Sequence, residues 1–165
     1  MSYSTHPDTF FSAALDSVPA NIAILGPAGD IVAVNAAWRS FGMANGLAED
    51  HGLGTDYIKL CRESAPFVTE ARPMAAGIRS VLSGKAPEFT IEYPCDSPSE
   101  KRWFRAIVTP LGGDPKKGVV VSHVNITGQK EAEAAQLGLT ADLEERVKEL
   151  AALYAVSKLL RNDLT

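Results

Sequence analysis

Residues 88–126 read EFTIEYPCDSPSEKRWFRAIVTPLGGDPKKGVVVSHVNI, and this stretch decides the fold. Glu88 to Tyr93 alternates strictly, placing Phe89, Ile91 and Tyr93 on one face, the period of a half-buried strand. Lys101 to Leu111 reads as a longer strand, with Pro110 near its end, where a missing N–H is tolerated. Gly118 to Ile126 is the third, rich in β-branched valine. The connections Pro94–Glu100 and Gly112–Lys117 carry the Pro, Gly, Asp and Ser of hairpin turns. Three antiparallel strands are therefore expected here.

Toward the N-terminus, Thr69 to Ser83 places Ala75, Ile78, Val81 and Leu82 on one helical face, and Ser83-Gly84 closes the helix. Asp56 to Arg62 reads as one or two helical turns burying Tyr57, Leu60 or Cys61, after a polar loop at Glu49–Thr55. Ile22–Leu25 and Ile31–Val34 are short apolar strands joined through Gly26-Pro27-Ala28-Gly29-Asp30, a hairpin with a loop of about five residues. Asn35 stands where its side chain can cap a helix carrying Trp38 and Phe41, which fades at Asn45-Gly46. Phe10, Phe11, Ala14 and Leu15 recur at helical spacing within Pro7–Ser17, and Pro19 ends that helix. Two strands, several helices and three strands are best satisfied by an α+β domain: a five-stranded antiparallel sheet with helices on one face.

Beyond Gln129 the composition changes. Glu131 to Leu160 has no Pro and is rich in Ala, Glu and Leu. Leu139, Leu143, Val147, Leu150, Tyr154 and Ser157 or Leu160 follow one another mostly by threes and fours, a coiled-coil seam with one irregular step between Leu143 and Val147. Gly138 and Thr140 offer a break, but the pattern favours a continuous helix. The expected organisation is a mobile 1–7, a domain over 8–128 and a helical coiled-coil linker over 129–165.

Composition narrows the function. A net charge of −4 argues against a dedicated nucleic-acid binder. No run of about 18 apolar residues offers a membrane span. Met1–Phe11 lacks the basic start and apolar run of a secretory signal, so a cytoplasmic location with reduced thiols is expected for Cys61 and Cys95. Neither cysteine sits in a zinc-type cluster, and core packing is the plainer reading of Cys61. There is no GxSxG elbow, phosphate loop, HExxH or triad, so no enzyme is read in this segment.

Several phrases, taken in order, resemble the PAS family over roughly Pro7 to Ala135. They are Ala14-Leu15-Asp16-Ser17-Val18-Pro19 before Ile22-Ala23-Ile24-Leu25, then Gly29-Asp30-Ile31-Val32-Ala33-Val34-Asn35. Later come Arg102-Trp103-Phe104, Thr109-Pro110-Leu111, and Val124-Asn125-Ile126-Thr127 before a charged helix. The resemblance implies a PAS-like sheet folded as a half-open palm around a pocket, homodimerisation, and relay through the terminal helix. The effector would follow in the same chain, such as the histidine kinase of a two-component system. In the family's closing Asp-Ile-Thr motif the acid often pairs with a base; Asn125 stands there here, and an amide makes no ion pair.

By alternation His123 shares a face with Val119, Val121 and Asn125. The resemblance to the flavin-binding branch points that position at a ligand; the alternative is a satisfied sheet histidine. Pocket candidates are Trp38, Phe41, Tyr57, Ile78, Phe89, Ile91, Tyr93, Phe104 and Val108, residues that any core also needs. Asn125, Thr127, Leu143, Val147, Leu150 and Tyr154 are the expected signalling and dimer positions. A haem site of the helix-His type does not fit, because Thr69–Ser83 contains no histidine. A photoactive flavin site needs Asn-Cys-Arg-Phe-Leu-Gln, whereas Leu60-Cys61-Arg62-Glu63-Ser64 departs from it. The cofactor stays open. Two functions compete: a sensor binding a small ligand inside, and a ligand-free PAS dimerisation and relay module. Arg105 and Glu92 read as a cross-strand surface pair or as polar groups of the pocket, the surface pair being the plainer reading.

Overall fold

The two N-terminal strands, β1 (Asn21–Leu25) and β2 (Ile31–Val34), and the three C-terminal ones, β3 (Phe89–Pro94), β4 (Trp103–Pro110) and β5 (Val119–Asn125), form one antiparallel sheet in the order β2-β1-β5-β4-β3. A computed structural model describes residues 7–46, 49–66, 68–97 and 100–162. Expectations placed on residues 1–6, and on the side chain of Leu160, lie outside the described residues. The chain divides into two compact units, 1–126 and 127–165.

In the first unit, β5 joins the halves of the sheet, because β1 pairs with it at Asn21↔His123 through Leu25↔Val119 and β4 pairs with its other edge. Alternation along these strands gives the sheet two faces. Ala23, Leu25, Ala106, Val108, Val119 and Val121 are fully buried beneath the helices. Trp103, Ile107, Val120 and Val124 lie at the intervening positions. Glu92 and Arg105 are register partners there, joined at 2.7 Å.

The helices are α1 (Pro7–Asp16), α2 (Ala36–Ala44), α3 (Tyr57–Ser64) and α4 (Ala71–Leu82). Asn35 is the joint between α1, β1 and α2 and is fully buried. Its Oδ1 accepts from Ile22 N–H at 2.9 Å and Trp38 N–H at 3.0 Å, the second being the helix cap. Its Nδ2 donates to the carbonyls of Ala20 (2.8 Å), Val18 (3.0 Å) and Leu15 (3.3 Å). Beside it, Asp16 accepts from Ala36 N–H at 2.7 Å and pairs with Arg39 at 3.0 Å. Backbone groups that would be orphaned where a helix meets a strand are thereby satisfied.

The loop before α3 docks on β2, with Ile31 N–H donating to Thr55 O (3.0 Å) and Gly54 N–H to Ile31 O (2.8 Å). Asp56 caps α3 by accepting from Lys59 N–H at 2.9 Å. Tyr57, Ile58 and Cys61 are buried on that helix, whereas Leu60 is 41% exposed. Of the predicted α4 stripe, Ala75, Ile78 and Val81 are fully buried against the sheet, while Leu82 is half-buried at its edge.

The second unit is one helix, α5 (Thr127–Asn162), continuous through Gly138. Leu139, Leu143, Val147, Leu150 and Tyr154 are all more than 60% exposed. No helix among the described residues is long and apolar enough to cross a membrane.

Candidate ligand-binding site

The concave side of the sheet holds its polar side chains at one spot. His123 projects from β5, where its register partners are Asn21 on β1 and Ala106 on β4. Ala106 has no side chain beyond Cβ, which leaves room above β4. Tyr93, two strands away and diagonally placed, reaches across that room. Its Oη lies 2.6 Å from His123 Nδ1. Tyr57 enters from the other side, as the first residue of α3, with its N–H donating to Gly29 O at 2.9 Å. Tyr57 Oη lies 3.3 Å from His123 Nε2. The imidazole is thus held at both nitrogens by phenols.

Aromatic rings enclose this trio. Trp38 on α2 packs on His123 at 5.7 Å between centroids and on Tyr57 at 6.1 Å. Its indole N–H donates to the His51 carbonyl at 3.2 Å, which fixes the ring over the site. Phe104 stacks on Tyr93 (6.1 Å) and meets Phe41 edge-on (5.3 Å), the offset and T-shaped geometries that ring quadrupoles favour. Outside Phe41, the guanidinium of Arg102 lies 5.1 Å from the ring centre.

Burial sets the charge state. It pushes His123 down to about 4, so the imidazole is neutral at physiological pH. It also pushes the Tyr57 and Tyr93 phenols up, and the Cys61 thiol up to about 11. The cluster is polar and uncharged.

Two cavities meet there. The first, about 340 Å³, is bounded by Asn21, Trp38, Phe41, Gly42, Asn45, Gly46, Tyr57, Leu60, Tyr93, Phe104 and His123. The second, about 220 Å³, is bounded by Cys61, Ser64, Val68, Glu70, Ala71 and Met74 and shares Tyr57, Leu60, Tyr93 and His123 with the first. The shared four residues form a partition.

Of the residues singled out from sequence, Trp38, Phe41, Tyr57, Tyr93, Phe104 and His123 come together around the first cavity. Ile78 and Val108 sit in the central core, with Phe89 and Ile91 packed against it. Asn125 ends β5 opposite Phe104, and Thr127 opens α5. Sequence reading left Asn21 and Asn45 out of the site, took Leu60 only as one candidate for burial on its helix, and did not foresee the second cavity. Asn21 had a signal, since it lies opposite His123; Asn45 and Leu60 come from a helix end and an exposed position that no period marks. Among the described residues, no group of three or more His, Cys, Asp or Glu side chains is arranged to hold a metal ion.

A curved antiparallel sheet closed by short helices over a pocket of this kind defines a sensory and signalling module. The family described as the PAS fold matches residues 15–131, and the chain belongs to it. An uncharacterized 104.1 kDa protein from the hypE 3′ region of Rhodobacter capsulatus is 45% identical over 120 residues, which is 70% of this chain and 12% of that protein. The chain therefore spans about an eighth of the length of that relative. The phage VqmA–DPO complex superposes with a TM-score of 0.52 at 19% identity, covering 84% of this chain and 63% of that one. An RNA-binding light-oxygen-voltage receptor gives 0.54 at 18% identity, covering 88% and 41% respectively. These likenesses describe the fold.

Proposed function

We propose that this chain is the sensory part of a larger signalling protein, and that it binds a small molecule in the cavity beside His123. The observation that carries this reading is the neutral imidazole held between Tyr57 and Tyr93 on the wall shared by two cavities. A purely structural core of this family could be filled with aliphatic side chains. Here the space is left open and its polar groups converge, the usual composition of a small-ligand site.

The ligand-contacting residues in this reading are His123, Trp38, Phe41, Tyr57 and Phe104, while Ile78, Phe89 and Ile91 shape the wall from behind. The domain over 8–128 senses; the helical segment 129–165 relays. Two copies pair along Leu143, Val147, Leu150 and Tyr154, with Asn125 and Thr127 at the junction. An effector further along the same chain, such as a two-component histidine kinase, receives the signal in the cytoplasm, and this segment itself catalyses nothing. A ligand shifts such a relay only by binding one of its states more tightly than the other.

The test is binding. A metabolite library is screened by thermal shift and by Trp38 emission in a Trp103→Phe background, alongside native mass spectrometry of freshly purified protein. At least one compound is expected to raise the melting temperature and perturb Trp38. His123→Phe, which fills the partition, is expected to weaken that compound by about tenfold or more. A library that moves neither signal would leave the ligand-free relay as the function.

A further inference from the structure

The hydrogen count at His123 leaves one donor over, and this identifies the chemistry of the ligand if the cavity reading above holds. A neutral imidazole has one N–H and one bare nitrogen, and each tyrosine brings one O–H. Three protons thus serve two internal hydrogen bonds, His123–Tyr57 and His123–Tyr93. The third proton has no acceptor among the described residues.

The distances place it. The 2.6 Å separation at Nδ1 falls within the O–H donor range and short of the N–H one, and we take Tyr93 as the donor to a bare Nδ1. Nε2 then carries the ring N–H, directed at Tyr57 Oη 3.3 Å away across a long contact. The surplus proton is therefore on the Tyr57 hydroxyl, which is buried and borders both cavities. A ligand that places an acceptor in either cavity can take that proton in a hydrogen bond.

The walls supply the rest. Among the described residues no Lys or Arg lines either cavity, and Glu70 lines the second. The Arg102 guanidinium, outside Phe41, is engaged by Cys95 O at 3.0 Å and Asn45 Oδ1 at 3.1 Å. An anionic group would be buried with no counter-charge. Trp38, Phe41 and Phe104 present ring surfaces, and about 340 Å³ is near the lower limit for small-molecule pockets. We propose that the ligand is a small, uncharged, planar molecule of one or two fused rings that offers a hydrogen-bond acceptor, a ring nitrogen or a carbonyl, to the Tyr57 hydroxyl.

Three probes built on one bicyclic frame test this on the 165-residue chain. They are quinoline (a ring-nitrogen acceptor, neutral at neutral pH), naphthalene (no acceptor) and 2-naphthoate (anionic). By titration calorimetry at neutral pH, quinoline is expected to bind about tenfold more tightly than either of the others. In Tyr57→Phe the quinoline advantage over naphthalene is expected to vanish, with naphthalene itself unchanged within about twofold. Binding of 2-naphthoate as tight as quinoline, or a quinoline advantage that survives Tyr57→Phe, overturns the proposal. If the variant does not fold by circular dichroism, the wild-type ranking alone decides. Tight binding of 2-naphthoate that His123→Phe abolishes would keep the cavity as the site and discard this ligand class. Failure of all three probes, together with a silent library screen, would discard both.

Discussion

At the scale of single residues, His123 contributes through what it withholds. Its folded-state value of about 4 lies below the ordinary 6.5, because burial disfavours the charged ring. Between those values the unfolded chain binds a proton that the folded chain refuses. Stability is therefore fully present above about 6.5 and drains away as the pH falls toward 4. Integrated from about pH 7 to about pH 5, the loss is about 2 kcal/mol. Urea unfolding at the two pH values should show wild type losing about 2 kcal/mol more than His123→Phe, which cannot titrate there. Parallel losses in the two proteins would mean that the ring is solvated rather than sealed. Asn35 shows the complementary case of a polar residue whose burial is fully repaid, with Oδ1 accepting two N–H groups and Nδ2 facing three carbonyls.

At the scale of elements, α4 rides directly on β3. Gly77 faces the Phe89 ring, and a Cβ there would fall inside it. The helix can approach the strand only because that position carries hydrogen. Gly77→Ala would gain helix propensity of about 1 kcal/mol, yet overpacking costs about 1–3 kcal/mol and the ring has the core behind it. A net loss of stability by chemical denaturation is expected, and relief of that loss in Gly77→Ala/Phe89→Leu would identify the ring as the cause. An unchanged or raised midpoint in the single variant would show that the helix can lift away at no cost. This contact illustrates what the sequence could and could not announce. Alternation in residues 88–93 and the α4 stripe of Ala75, Ile78 and Val81 place Phe89 and α4 on the same side of the sheet. Hairpin turns and the Asn35 cap were legible for the same reason, since their chemistry is local. Nothing local says that β5 runs between β1 and β4, because strand order is set by long-range packing. The candidate site divides along the same line. Its aromatic lining was readable as apolar positions on strands and helices, whereas the Tyr93–His123–Tyr57 contact joins residues 30 and 66 apart in the chain.

For the whole molecule, the relay that we propose has a short covalent path: His123 lies four residues before α5 begins at Thr127. Along α5, Leu139, Leu143, Val147, Leu150 and Tyr154 fall within about 80° of arc when each residue turns about 100°. Yet each is more than 60% exposed in the single chain. In the pairing that we propose this stripe is the seam, and charged Glu144, Glu145, Arg146, Lys148 and Glu149 lie mostly off it. The two four-residue steps around Leu143 are followed by one of three, an eleven-residue spacing that locally unwinds a left-handed supercoil. In the relay that we propose, a small twist at this spot alters the register downstream. In the dimer that we propose, each copy buries Leu150 at about 2 kcal/mol, so Leu150→Glu in both copies should cost about 4 kcal/mol and weaken dimerisation roughly a thousandfold. Sedimentation equilibrium reads this directly, and Leu137→Glu, outside the arc, serves as the control. An unchanged association constant in Leu150→Glu, or an equal loss in the control, would place the pairing surface elsewhere and leave α5 as a single-stranded connector.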